Sequence, residues 1–174
     1  MLKENNEYVE VFLLDQNDER QNTGKIAKRG KLVGEGFYVI GVNNWIINSK
    51  GEILVQKRSR LKSNNPLKWS STNGLREIGE NSVDAVIRES SEELGIEIDK
   101  DKVKFVDSRI AGDSLIVDIF FTLMDVKIED IKIQEEEVEE IRFVSPEDLV
   151  LMDLSTTCEY IKDNIAKYLD IVLK

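Results

Sequence analysis

The segment from Ser82 to Leu94, "SVDAVIRESSEEL", constrains this chain more than any other. Its apolar residues recur with the period of an α-helix, and Gly95 directly after it is a helix stop. At about 100° per residue, Val83, Val86, Ile87, Ser90 and Leu94 share one side, while Glu89, Glu92 and Glu93 cluster beside that stripe, roughly 130° away. One face packs and the other presents oxygen. Ser90, small and central in the stripe, allows close approach to a sheet. Arg88 precedes Glu92 by four residues, the spacing of a helix ion pair that fixes a carboxylate's rotamer. Like charges one turn apart cost a helix a few tenths of a kcal/mol each, so the three glutamates call for a compensating positive charge.

Composition limits what that charge serves. The chain has 174 residues, 41% hydrophobic and 33% charged, which suits one compact domain with a sizeable core. With 24 Lys+Arg against 34 Asp+Glu, the formal charge is −10, the wrong sign for coating a nucleic-acid polymer. An anionic small molecule would need a divalent cation as a bridge. Histidine is absent, which excludes Ser-His-Asp and Cys-His catalysis and His-ligated zinc, leaving oxygen-ligand metal sites. The lone Cys158 cannot form an internal disulfide and is expected as a small core residue. No apolar run approaches the ~20 residues needed to cross a bilayer, and "MLKENNEYVE" lacks signal-peptide grammar. A cytoplasmic location is expected.

Along the chain, "EYVEVFLLD" and "GFYVIGVNNWIIN" are expected strands with turn-like "QNDERQNTG" between them, in an N-terminal β-hairpin extension at about residues 6–33. "NSKG" turns into the strand "EILVQKR", and "RSRLKSNNPLKWSSTNG" is expected as a polar loop. "KVKFVDSRIA" pairs with "SLIVDIFFTLMDV", and "EEIRFV" is a shorter strand. Ser145 caps a helix with Pro146 at its first position and Asp148 as capping-box acid. Cys158, Ile161, Ile165, Tyr168, Leu169 and Val172 give a last helix, at about residues 156–173, that either closes the domain or supports a homodimer. The fold class is α+β, a mixed sheet with helices on its faces.

Gly74, Glu80, Arg88-Glu89, Glu92-Glu93, Gly95 and Ile96 stand at the spacings of the Nudix box. On these residues the chain resembles the Nudix hydrolases, with Ser90 the one departure. "VFLLDQNDERQNTGKIAKRG", "WIINSKGEILVQKRS" and "EEIRFVSPEDL" look like the branch related to isopentenyl-diphosphate isomerase, so the resemblance spans roughly residues 8–150. It implies an α-β-α sandwich with a loop-helix-loop catalytic segment, and Mg²⁺ or Mn²⁺ bound by the helix glutamates. Glu89 and Glu93 are the implied direct ligands, with Glu92 and Glu80 close by and the Gly74 carbonyl completing the shell. Arg88 orients carboxylates. Glu92 inside the box, or Glu137 or Glu136 outside it, takes the proton of the attacking water.

The implied activity is hydrolysis of a diphosphate linkage in a nucleoside diphosphate derivative or related small molecule. A non-catalytic nucleotide sensor is the alternative. The isomerase is disfavoured, because Asn73 stands where its catalytic cysteine would be and Leu75 where a metal-binding histidine would be. Arg58 and Arg60, with Lys57, are candidates for substrate phosphates, although alternation along a strand sends Lys57 and Arg58 to opposite faces. Trp69 either lines the pocket or packs under the box turn, and Trp45 is expected in the core.

Overall fold

The computed structural model describes residues 8–174, so the first residues of the expected N-terminal extension lie outside the described residues. Strand β3 (Phe37–Ile47) is the axis of a mixed sheet. Its start pairs with β1 (Tyr8–Leu14), which forms an antiparallel hairpin with β2 (Arg20–Lys28). Most of its length runs parallel to β8 (Leu115–Leu123), from Val39 opposite Leu115 to Ile47 opposite Leu123. β3 also pairs antiparallel with β4 (Ile53–Arg58) and with β6 (Thr72–Leu75). β7 (Val103–Ala111) pairs with β8, while β9 (Val138–Val144) and the short β5 (Trp69–Ser70) both pair with β4.

Alternation along β3 sorts the two faces. Val42 and Ile46 turn toward α1 (Ser82–Leu94), whose Ala85, Val86 and Leu94 are buried against that side. Trp45 and Ile47 turn the other way, under α2 (Pro146–Leu151) and α3 (Ile161–Val172), into a core that includes Ile161, Ile165, Tyr168 and Val172. The last helix thus closes an α-β-α sandwich. Burying Val86 and Leu94 contributes roughly 1.5–3 kcal/mol each, far more than like charges one turn apart cost, so packing decides that α1 forms. Asn81 caps its start by accepting the Asp84 amide, and Gly95 ends it at φ 63°.

Four local expectations change. "QNDERQNTG" is not turn throughout, because β2 already begins at Arg20. The loop before the box ends in β5 and β6, since register with β4 and β3 extends its last residues. The last helix starts at Ile161, and Cys158 lies in the turn ahead of it, fully buried as a core residue. On α1 the buried stripe is rotated: it includes Ala85, Glu89 and Glu93, whereas Val83 and Ile87 are only half-buried.

Candidate active site

Two glutamates one turn apart are therefore inside the protein. Glu89 and Glu93 are 8% and 6% exposed and line a cavity of about 720 Å³ together with Gly74, Glu92, Arg58 and Glu137. Helix period places them, and the small Ser90 beside them lets α1 sit against β3, where Ser90 accepts a 3.4 Å hydrogen bond from Asn44. Behind Glu93, the buried Gln56 of β4 donates to Oε2 at 2.7 Å. Burial pushes the Glu93 carboxyl up to about 8, the Glu89 charge adds to the rise, and Gln56 opposes it. Burial also raises the Glu89 carboxyl, against the pull of Arg88.

Arg88 organises the remaining acids. Its Nε and Nη2 donate to the two oxygens of Glu80 at 2.9 and 3.0 Å, a bidentate pair. Nη2 also donates to the Leu75 carbonyl at 2.9 Å, and Nη1 to Glu89 at 2.7 Å and to Glu92 at 3.4 Å. One guanidinium thus ties the turn after β6 to three carboxylates, and its charge does not balance theirs. The C-terminal end of α1 is tied in turn to the segment before β9, because the Glu93 and Leu94 carbonyls accept the Gln134 and Lys132 amides. That contact brings Gln134 and Glu137 to the cavity, where Glu137 pairs with Lys62.

The donor set suits a hard divalent cation. A Cβ built on Gly74 would lie 1.8 Å from Glu89 Oε1, so the glycine leaves a notch that only the carboxylate fills. Arg88 is shared among Glu80, Glu89 and Glu92, so it cannot offset the charge of Glu93 as well, and burial makes ionising that carboxyl costly unless a cation joins it. Among the described residues, no three acidic or thiol side chains close into a cage. An open set suits Mg²⁺, which keeps several waters and takes substrate phosphate oxygens.

Residues 37–163 match the NUDIX domain. The chain belongs to the Nudix family. It is 38% identical over 136 residues to an uncharacterised Nudix hydrolase of Listeria monocytogenes, covering 76% of this chain and 79% of that one. The structure of DR0079 from Deinococcus radiodurans superposes with a TM-score of 0.70 at 20% identity, over 93% of this chain and 99% of the other, and so shares the fold. Isopentenyl-diphosphate Delta-isomerase of Shigella flexneri is 36% identical over 77 residues, 44% of this chain and 42% of the isomerase. As a Nudix hydrolase, the protein acts on pyrophosphate bonds.

Within this Nudix site the structure gathers Glu89, Glu92, Glu93, Gly74, Arg88, Glu137 and Arg58 around one cavity. Five expected residues stand outside its lining. Glu80 lies outside the cavity lining and gives both oxygens to Arg88, and one of them also accepts the Glu77 amide, so it braces the arginine. Arg60 lies two residues beyond the end of β4, outside the cavity lining, and pairs with Glu139. Trp69 does not line this cavity and is not a loop residue: β5 carries it into the α2–α3 core, where Arg142 stacks 4.2 Å from its ring centre. Lys57 also lies over Trp69, so the expected split between Lys57 and Arg58 is present. Glu136 lies outside the cavity lining.

Sequence reasoning missed Gln56, Lys62, Gln134 and Arg29. Gln56 carried a signal, a lone amide within the apolar run "ILVQKR". Arg29, from the turn after β2, reaches the cavity through tertiary folding, and the buried Asp118 anchors its strand by binding Arg20. Asn73 and Leu75 line the cavity, and Cys158 is buried within the α2–α3 core.

Proposed function

We propose that the protein is a metal-dependent hydrolase of a small-molecule diphosphate, with Mg²⁺ or Mn²⁺ held by Glu89 and Glu93, and with Glu92 and the Gly74 carbonyl beside them. The observation that carries this reading is the buried glutamate pair facing the cavity in a notch kept open by Gly74. Bound there, the cation would neutralise phosphate charge and acidify water. The chain's own residues do the rest. Arg58 and Lys62 face the cavity as phosphate-binding cations, and Arg29 adds a third. Arg88 holds Glu89 in its rotamer, and Gln56 holds Glu93. Glu92 and Glu137 are the carboxylates assigned to receive the proton of the attacking water.

Asn73 and Leu75 supply neither the thiol nor the imidazole that the isomerase would need, which leaves phosphorus chemistry as the better reading. The single cysteine and the lack, among the described residues, of a helix long and apolar enough to cross a membrane support a cytoplasmic enzyme.

The test is turnover of a panel of nucleoside diphosphates, sugar nucleotides, sugar diphosphates and dinucleotides, read as phosphate or monophosphate release. Chelation with EDTA is expected to abolish release, and excess Mg²⁺ or Mn²⁺ to restore it. Tight binding of one compound with no metal-dependent turnover of any would assign the chain to sensing instead.

A further inference from the structure

We propose that the organic part of the substrate is a sugar or polyol, bound in a hollow that adjoins the cavity; this rests on the diphosphate-hydrolase reading. The hollow, of about 480 Å³, shares Arg58, Ser63, Asn64 and Asn73 with the main cavity and adds Asn65, Thr156 and Thr157. Every one of these side chains is polar. Across both spaces, among the described residues, Leu75 is the lone apolar side chain and no aromatic ring contributes. The segment outside the description, "MLKENNE", contains no aromatic residue either.

A nucleobase is held chiefly by stacking on a ring or an apolar surface, and neither lines this space. The rings that could have served are committed to packing: Trp45 and Trp69 lie in the core under α2 and α3. An isoprenoid tail would strand its apolar surface against amides and hydroxyls. A hydroxyl both donates and accepts, and Asn, Ser and Thr do the same, so their match is a polyhydroxylated ligand.

The hollow is also built from beneath. Asn43, 2% exposed on β3, donates to the Thr157 carbonyl at 3.0 Å and so fixes the turn that carries both threonines. Asn65 donates to Thr156 Oγ1 at 3.2 Å, joining the two sides of the rim. Arg58 Nε donates to the Asn64 carbonyl at 3.1 Å, which holds the intervening loop curled and leaves the guanidinium's outer nitrogens for ligand. The Asn73 amide nitrogen is spent on Ser70 Oγ at 2.5 Å and the Ser71 carbonyl at 2.8 Å, leaving Oδ1 to accept from a hydroxyl.

The experiment compares kcat/KM with Mg²⁺ for phosphoribosyl diphosphate, ADP, CDP and isopentenyl diphosphate. Phosphoribosyl diphosphate is expected to exceed the others by about ten-fold, with ADP and CDP alike because no group reads the base. In Asn64→Ala/Thr156→Val, two rim residues outside the cation site, KM for phosphoribosyl diphosphate is expected to rise about ten-fold with kcat unchanged. A ten-fold preference for ADP or CDP, or a double variant whose KM does not move, overturns the sugar assignment while hydrolysis stands. Thermal shifts with ribose phosphate, AMP and CMP separate the two readings. Preferential stabilisation by ribose phosphate, lost in the double variant, with no hydrolysis of any diphosphate, supports the sugar hollow and sinks the hydrolase. Equal or stronger stabilisation by the nucleotides overturns the sugar hollow.

Discussion

Glu93→Gln and Glu89→Gln are each expected to lower turnover about 10³-fold with the fold intact, because the cation's several kcal/mol of charge stabilisation requires the carboxylates. Glutamine keeps the volume of each buried side chain. It removes only the charge. A second readout needs no substrate. In the metal-free protein the Glu93 carboxyl sits at about 8 against an ordinary 4.5, first through burial and then through Glu89. Between those values the folded state binds more protons than the unfolded state, so stability must fall as pH rises through that window. Urea midpoints in EDTA are therefore expected to drop from about pH 5 to about pH 8 in the parent chain, and Glu93→Gln to flatten the slope. Added Mg²⁺ is expected to restore the parent at the upper pH and leave the variant unmoved. Full turnover in both variants, or a rising pH slope in the parent, would remove the glutamate pair as the cation site.

The pair was legible in the sequence because it is local. Three glutamates, an arginine and bounding glycines on one short helix have spacings that the helix period converts directly into geometry. Their order of burial was not legible: Glu92 has the same chemistry as Glu93 yet is half-exposed, because the docking of α1 on β3 and β6, with Ala85 innermost, sets the rotation. Residues supplied by other elements were harder. Trp69 and Arg60 come from a polar stretch without a period, and what places them is strand pairing of Trp69 with Lys57 in one case and the ion pair of Arg60 with Glu139 in the other. Arg29 reaches the site through the anchoring of β2 on Asp118, a contact 98 residues apart in sequence. Such contacts leave no local trace. The sheet was more readable, since alternating β-branched and aromatic runs specify strands, and the Ser145-Pro146 start of α2 is a cap visible in four residues.

Gly74→Ala is expected to cost as much turnover as Glu89→Gln, about 10³-fold, although it removes no functional group. Gly74 lies in regular pairing with Val42, so the residue is needed for space and not for an unusual backbone angle. The new methyl carbon would sit 1.8 Å from Glu89 Oε1 and 2.1 Å from its carboxyl carbon, and one must yield. The sheet holds Gly74, whereas Glu89 ends a flexible side chain, so the carboxylate moves and gives up its 2.7 Å bond to Arg88. Loss of that charged hydrogen bond in a part-buried site lowers stability by about 1.5–3 kcal/mol, which a urea titration resolves. Because both substitutions strike one feature, their effects should not multiply: Gly74→Ala/Glu89→Gln is expected to turn over no more slowly than either single variant. Truncation makes the sharper control. Glu89→Ala in the Gly74→Ala background removes the clash and should recover stability relative to Gly74→Ala alone, yet recover no activity. Recovery of turnover in that pair would mean that Glu89 is dispensable and that Gly74 serves the site only by leaving room, whereas multiplying losses would mean that glycine and glutamate act apart.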